Sequence, residues 1–268
     1  MAGIAAEPVL LAEGGLSVEV SDATAIITLH RPETLNAMTQ AMWSALPGAL
    51  DSLSGDARVK VVLLTGAGDA FCAGADVSEF PSTFADAGAA RAYNDLVEAA
   101  RHALTHVPKA TIAVVPGLAV GAGCGLAIAC DLRFAADTAR LGMPPARLGA
   151  AYPFPGVRQL VGLIGPARAR DMLYSGRLVS ADEASRIGLI DRICTARSLM
   201  DEAHRYAAGL CTLSTNSQRI TKRMVQTVLD GIDDETDELR ALFDQSFADD
   251  DFLEGYQAFL EKRKPQFR

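Results

Sequence analysis

Two apolar segments, each followed by a glycine-rich loop, limit the folds open to this chain more than any other feature. Residues 59–65 (VKVVLLT) and 110–115 (ATIAVV) are almost continuously apolar and rich in β-branched side chains. Such segments are typical of strands buried on both faces, which occur in parallel sheets covered by helices. Because helical stretches alternate with strands in the first two thirds of the chain, the sequence predicts an α/β fold with parallel strand pairing.

The flanking regions differ in character. Residues 17–21 alternate apolar and polar side chains and predict a half-buried strand, paired in a hairpin with residues 25–30. From about residue 156 onward the strand signals weaken and five helices are predicted: residues 166–174, 181–187, 199–210, 218–229 and 235–247. The chain is therefore predicted to form a core, residues 1–200, and a helical C-terminal oligomerisation subdomain, residues 201–268.

Composition excludes several functional classes. The net charge of −8 disfavours nucleic acid as a partner, since phosphate binding needs clustered Lys and Arg. Five cysteines without a C-x-x-C pair indicate reduced thiols in a cytoplasmic protein, and no metal site is predicted. Residues 1–13 carry no Lys or Arg, unlike a signal peptide, and the apolar run 118–130 is too short to span a membrane. A soluble protein is expected.

The two glycine-rich segments are candidates for binding an anionic oxygen. Residues 71–76 (FCAGAD) follow a buried strand, and small side chains there let a ligand approach the backbone. Residues 120–125 (VGAGCG) open a helix, where the first N–H groups have no intrahelical partner. Tight turns with close helix packing would produce the same composition. A dinucleotide-binding fingerprint is excluded because it needs a small residue at Leu126, and a phosphate-binding P-loop because no Gly-Lys-Ser/Thr follows.

The order of motifs along nearly the whole chain resembles the enoyl-CoA hydratase/isomerase (crotonase) family. The matching segments are residues 31–37 (RPETLNA), 61–66 (VVLLTG), 70–76 (AFCAGAD), 131–136 (DLRFAA), 174–177 (YSGR), 181–184 (ADEA) and 259–265 (FLEKRKP). The resemblance implies a crotonase-like spiral of ββα repeats, assembled as a homotrimer or a dimer of trimers. It implies an acyl-CoA thioester as substrate, with coenzyme A entering as part of that substrate and no separate cofactor.

The resemblance also assigns roles to residues. It implies that the N–H groups of Ala75 and Ala122 hold the thioester oxygen as an enolate. The segment from Ala73 to Ser78 would line the path of the adenine and pantetheine. The residues expected to bind the substrate and its coenzyme A are Ala73, Ala75, Asp76, Val77, Ser78, Ala122 and Lys262.

The chain departs from the family pattern at two positions. Gly125 and Pro145 stand where typical hydratases carry glutamates, so the two-glutamate hydration mechanism is not available. Tyr152 lies where family decarboxylases carry a tyrosine, although those enzymes have a histidine at the position of Ala75. Loss of CO2 generates an enolate without a base, which favours a decarboxylase or a C–C lyase acting on a CoA thioester. Catalysis is thus assigned to Ala75, Ala122 and Tyr152.

Other interpretations stay open. Tyr152 can be a pocket-wall or core tyrosine with a satisfied hydroxyl. Asp76 is expected to cap its turn, and Arg147 either pairs with a substrate carboxylate or forms a surface ion pair. His102 and His106 are spaced to share one helix face, but Ala103 stands where a zinc-protease motif needs Glu. The alternative to an enzyme is a non-catalytic acyl-CoA-binding protein.

Overall fold

A computed structural model describes residues 8–267 of the chain. Its strands are β1 (Val9–Leu11), β2 (Leu16–Ser21), β3 (Thr24–Leu29), β4 (Val61–Gly66), β5 (Ala70–Cys72), β6 (Ala110–Val115), β7 (Leu118–Val120), β8 (Leu132–Ala136), β9 (Arg140–Gly142), β10 (Val179–Ser180) and β11 (Arg192–Cys194). Its α-helices are α1 (Gln40–Gly55), α2 (Phe80–Thr83), α3 (Ala87–His106), α4 (Ala122–Ala129), α5 (Phe154–Ser175), α6 (Ala181–Arg186), α7 (Leu199–Cys211), α8 (Thr215–Leu229), α9 (Asp237–Ser246) and α10 (Asp250–Glu261).

The strands form two sheets. The larger has seven strands in the order β1-β2-β3-β4-β6-β8-β11, and the smaller has four in the order β10-β9-β7-β5. The pairs β1–β2 and β2–β3 are antiparallel. Every later pair in the larger sheet is parallel. The predicted hairpin and the predicted parallel pairing are both confirmed.

Successive strand pairs divide between the two sheets. The first strand of each pair, β4, β6 and β8, joins the larger sheet, and the second, β5, β7 and β9, joins the smaller one. A helix follows each pair, α3, α4 and α5 in turn, apart from the short α2 before α3. Repetition of this unit gives the predicted α/β spiral of ββα turns.

Strand β4 lies between two hydrophobic cores. Val62 and Leu64 belong to the main core, which also contains Trp43 of α1. Val61 and Leu63 face a second core on the other side of the sheet. All six residues of β4 are buried, so its continuous apolar sequence reflects burial on both faces.

The helices extend the sequence prediction. The helices predicted at residues 181–187, 199–210, 218–229 and 235–247 are confirmed within a few residues as α6 to α9. The helix predicted at 166–174 is the second part of α5, which is interrupted at Gly165 (φ 77°, ψ 162°). The elements that were not predicted are strands β1, β5 and β7 to β11 and helices α2, α3 and α10. Helix α3 was missed because few of its residues are large and apolar.

The C-terminal helices are continuous with the core. Helix α7 begins at Leu199, and its Ala203 and Ala207 pack into the second hydrophobic core. The predicted boundary at residue 200 therefore falls within the first turn of α7, and the division into two domains stays a prediction. Within residues 8–267, no helix is long and apolar enough to cross a membrane.

Candidate functional site

The loop after β5 fixes the orientation of one backbone donor. The Met38 N–H donates to the Gly74 carbonyl (2.8 Å), and the Asp76 N–H donates to the Met38 carbonyl (2.9 Å). These bonds bracket Ala75, whose own N–H has no acceptor in the part of the chain that the structure describes. A positioned N–H without an acceptor is what stabilisation of an anionic oxygen requires.

The start of α4 supplies a second donor. Gly121 adopts φ 55° and ψ −123°, and its N–H donates to the Gly142 carbonyl (2.8 Å) in the neighbouring strand β9. Ala122 is the first residue of the helix, so its N–H has no intrahelical acceptor. The positive end of the helix dipole adds to its attraction for a negative charge.

The two donor segments are in contact. Gly74 has φ 110°, and a Cβ atom at this position would lie 2.9 Å from the Val120 carbonyl oxygen and 3.6 Å from the Ala122 nitrogen. A side chain at residue 74 would therefore push the two segments apart. Ala75 and Ala122 both line one cavity next to this contact.

That cavity has a volume of about 410 Å³, within the range of small-molecule sites. It contains most of the residues predicted for catalysis and binding: Ala73, Ala75, Val77, Ala122 and Tyr152. Its wall is mainly apolar, with contributions from α1, α3, α4 and the segment before α5. Three predicted binding residues, Asp76, Ser78 and Lys262, are outside the lining.

Asp76 is tied to its surroundings as the sequence predicted. Its carboxylate accepts hydrogen bonds from the Ser78 hydroxyl (2.7 Å), the Ser78 N–H (3.0 Å) and the Arg31 guanidinium (2.7 Å). The hydrogen bond from the Ser78 hydroxyl lowers the pKa of Asp76 below its usual value, and the hydrogen bond from Arg31 lowers it further. The ionised carboxylate thus anchors the loop next to Ala75 to the turn at Arg31.

Ser78 and Lys262 lie away from the cavity wall. The hydroxyl of Ser78 is occupied by Asp76. Lys262 ends α10 in the left-handed conformation (φ 54°) and is exposed. Their contacts with coenzyme A therefore stay a prediction.

Tyr152 occupies the volume that a side chain at residue 125 would need. Its hydroxyl donates to the Gly121 carbonyl (3.1 Å). A Cβ atom added at Gly125 would overlap the Tyr152 hydroxyl oxygen, and one added at Gly156 would lie 2.6 Å from the ring. Burial raises the pKa of the Tyr152 phenol well above its usual value, and the charge of Arg101 opposes this only in part. The hydroxyl is therefore protonated at neutral pH.

Pro145 and Arg147 lie in the short helical turn at residues 145–148, which forms another part of the cavity wall. Proline has no group that can transfer a proton. The Arg147 guanidinium is exposed and forms no ion pair with any residue of the described chain. The surface ion pair that the sequence allowed for Arg147 is therefore not formed. The guanidinium remains free for an anionic group of a ligand.

A carboxylate on α3 was missed by sequence analysis. Glu98 is the single Asp or Glu in the cavity wall as described for residues 8–267. Arg101 holds it with two hydrogen bonds, from Nη2 to Oε1 (2.6 Å) and from Nε to Oε2 (3.0 Å). Asn94, Glu98 and Arg101 are spaced along α3 so that they share one face of the helix. This spacing was the sequence signal that could have identified Glu98.

Two buried donors also adjoin the cavity. Trp43 and Tyr93 contribute to its wall, and neither the indole N–H nor the phenol O–H has a hydrogen-bond partner in the described residues. Burial raises the pKa of the Tyr93 phenol to about 12. Because both atoms are inaccessible, we assign them no contact with a ligand.

The remaining reactive side chains lie elsewhere or are shielded. Cys72 and Cys124 are buried next to the donor segments, and burial raises the pKa of each thiol to about 12. His102 and His106 stack with ring centroids 3.8 Å apart on α3. Among residues 8–267 there is no cluster of three or more His, Cys, Asp or Glu side chains that could hold a metal ion.

Comparison with known proteins gives concordant results. The sequence model of the enoyl-CoA hydratase/isomerase family matches residues 19–268. A probable enoyl-CoA hydratase of Mycobacterium bovis is 38% identical over 252 residues, which cover 93% of this chain and 96% of the relative. A crotonyl-CoA hydratase of Syntrophomonas wolfei is 31% identical over 262 residues, covering 96% and 99%.

Solved structures agree in fold. The crystal structure of an enoyl-CoA hydratase/isomerase family protein from Hyphomonas neptunium superposes with a TM-score of 0.92 at 38% identity. The match covers 95% of this chain and 97% of that one. An enoyl-CoA hydratase from Bacillus anthracis gives a TM-score of 0.85 at 30% identity, covering 94% and 98%.

Proposed function

The chain belongs to the enoyl-CoA hydratase/isomerase family and acts on an acyl-CoA thioester, and from this premise we propose that it stabilises a thioester enolate without the usual pair of glutamates. The N–H groups of Ala75 and Ala122 hold the enolate oxygen. Tyr152 donates the proton that the α-carbon receives. The observation that carries the proposal is that the Tyr152 hydroxyl fills the space which a side chain at Gly125 would need.

The reaction that fits this site is decarboxylation of an acyl-CoA that carries a carboxylate on its α-carbon. The bond between the α-carbon and the carboxylate breaks, CO2 leaves, and the bonding electron pair enters the thioester enolate. The α-carbon then takes a proton from the Tyr152 hydroxyl, which is replenished from solvent. Arg147, unpaired at the cavity wall, orients the carboxylate before it leaves.

Hydration of an enoyl thioester is the second candidate. The relatives named above include a crotonyl-CoA hydratase, and Glu98 places one carboxylate in the cavity. Addition of water needs a base at the β-carbon and a proton donor at the α-carbon. A non-catalytic acyl-CoA-binding protein is the remaining alternative, and it predicts binding without turnover.

The test is NMR of methylmalonyl-CoA and crotonyl-CoA, incubated separately with the protein in D2O. We expect propionyl-CoA deuterated at the α-carbon, formed about 100-fold more slowly by Tyr152→Phe, since positioned proton donors contribute about that much or more. Tyr174→Phe is the matched control, because Tyr174 is exposed and outside the cavity wall. Hydrated crotonyl-CoA would favour the second candidate, and binding without any product would favour the binding protein.

Ala122→Pro tests the backbone donor directly. Proline is tolerated at the first position of a helix, where its missing N–H breaks no helical hydrogen bond. Loss of one such donor removes about 3–4 kcal/mol of transition-state stabilisation, so we expect kcat to fall by about 100- to 1000-fold. Circular dichroism and the melting temperature establish that the variant is folded. Unchanged kcat in a folded Ala122→Pro protein would contradict the assignment.

A further inference from the structure

The cavity contains a carboxylate that the proposed decarboxylation does not use. Glu98 lies on α3 and lines the cavity, and the exposed fraction of its side chain is 40%. Its partner Arg101 is only 13% exposed. An ordinary surface pair three residues apart on a helix would leave both side chains in solvent.

Arg101 is held in turn from its other side. Its Nη1 donates to the Gln159 side-chain oxygen (3.1 Å), and the Gln159 amide nitrogen donates to the Ile128 carbonyl (2.7 Å). Ile128 lies in the last turn of α4, the helix whose first N–H is that of Ala122. A chain of polar contacts thus connects Glu98 to the element that carries one of the two oxyanion donors.

The surroundings of Glu98 are suited to general base catalysis. The two hydrogen bonds from Arg101 fix the plane of the Glu98 carboxylate. A base must be ionised, held in place and accessible to the substrate. The cavity wall as a whole is mainly apolar, and an apolar surrounding strengthens electrostatic interactions.

We infer that Glu98 is a catalytic base that removes the α-proton of a bound acyl-CoA, and that Arg101 positions it. The inference rests on the enolate site of the proposed function. The bond between the α-carbon and hydrogen breaks, the proton passes to a Glu98 oxygen, and the electron pair enters the enolate held by Ala75 and Ala122. The proton on Glu98 exchanges with solvent, and reversal returns a solvent proton to the α-carbon, so water is the only other reactant.

The consequence is a second activity of the same cavity: exchange of the α-protons of saturated acyl-CoA thioesters with solvent. A saturated thioester such as butyryl-CoA has neither a carboxylate to lose nor a double bond to hydrate. Its exchange therefore reports on base catalysis alone. Decarboxylation of methylmalonyl-CoA needs no base and reports on the enolate site alone.

The experiment measures both reactions on the same full-length proteins in D2O. In Glu98→Gln we expect α-exchange of butyryl-CoA to fall by about 100-fold or more, and decarboxylation measured on the same sample reports whether the enolate site is still formed. Asp95→Asn is the matched control, because it removes a carboxylate from an exposed position of the same helix outside the cavity wall. It should leave both rates unchanged.

Arg101 is tested by its conservative variant. Arg101→Lys keeps the charge but loses the two-point contact with Glu98. We expect kcat for exchange to fall while KM for butyryl-CoA stays within about twofold. A merely structural role would raise KM and lower the melting temperature together.

The outcomes separate the two proposals. Decarboxylation without α-exchange in the unmodified protein, or equal exchange in Glu98→Gln, would overturn the role of Glu98 and leave the proposed function standing. Exchange without decarboxylation would support Glu98 and contradict the decarboxylase. Binding of butyryl-CoA with neither reaction would contradict both.

Discussion

At the scale of single residues, Gly125 and Tyr152 share one volume at the cavity wall. Gly125 lies within α4, where an alanine would usually be the more stable residue by up to about 1 kcal/mol. The Tyr152 hydroxyl leaves no room for a Cβ atom there, and its hydrogen bond to the Gly121 carbonyl holds it in place. The glycine at 125 and the tyrosine at 152 are therefore one structural feature.

This pairing predicts that the effect of Gly125→Ala on the free energy of unfolding changes sign with the residue at position 152. In the unmodified protein we expect the free energy of unfolding to fall by about 1–3 kcal/mol, because the added methyl group overlaps the hydroxyl. In a Tyr152→Phe background the nearest ring atom is 3.7 Å away, an ordinary contact, so the same substitution should be neutral or stabilising. Urea unfolding of the four proteins measures the coupling. Equal effects in both backgrounds would show that the two residues do not compete for space.

At the scale of elements, three connections build the site. The loop after β5 is bonded to Met38 and Arg31, the start of α4 is bonded to β9, and α3 contributes Glu98 to the cavity wall. The first connection depends on charge, since Arg31 and Ser78 both bind ionised Asp76. Its strength should therefore depend on pH.

Asp76→Asn tests this dependence. The pKa of Asp76 is lowered in the folded chain, so its contribution is fully present above the unfolded value of about 3.9 and is lost as pH falls through the lower folded value. We expect Asp76→Asn to be about 1 kcal/mol less stable near pH 7, with the difference shrinking below about pH 4. Unfolding at a series of pH values checks this, with Asp95→Asn as the control. A difference that is the same at pH 3 and pH 7 would exclude an electrostatic origin.

At the scale of the whole molecule, the C-terminal helices leave many large apolar side chains exposed. Helices α8 to α10 expose Val228, Phe243, Phe247, Phe252, Leu253, Tyr256, Phe259 and Leu260, and Phe259 is 82% exposed. Exposed apolar side chains in this number commonly mark an interaction site. It agrees with the oligomerisation role predicted for residues 201–268, which stays a prediction.

We expect the protein to sediment as a trimer or a dimer of trimers, and Phe259→Glu to weaken assembly by about tenfold or more, since buried aromatic residues dominate interface energetics. Sedimentation over a range of concentrations measures this. Leu10→Glu, a comparably exposed apolar residue on edge strand β1, is the control. Monomers of the unmodified protein at micromolar concentration would contradict the prediction.

The sequence determined the features that local residue patterns encode. Continuous apolar residues require a strand buried on both faces, as β4 is, and small residues at Gly74 and Gly121 permit backbone geometries that larger side chains resist. The motif order added the family, and with it the spiral. The roles of Ala75 and Ala122 as oxyanion donors stay a prediction. Strand β7 was not predicted because it has only three residues, and helix α3 because few of its residues are large and apolar.

The tertiary structure alone decided which side chains meet. The overlap of Tyr152 with Gly125, the place of Glu98 in the cavity wall, and the exclusion of Ser78 from it involve elements that are distant in the chain or depend on how a loop turns. Local propensity fixes dihedral angles and faces, whereas contacts between elements depend on the packing of the entire core. The acyl-CoA family was therefore readable from the residues, and the carboxylate that completes the cavity only from the fold.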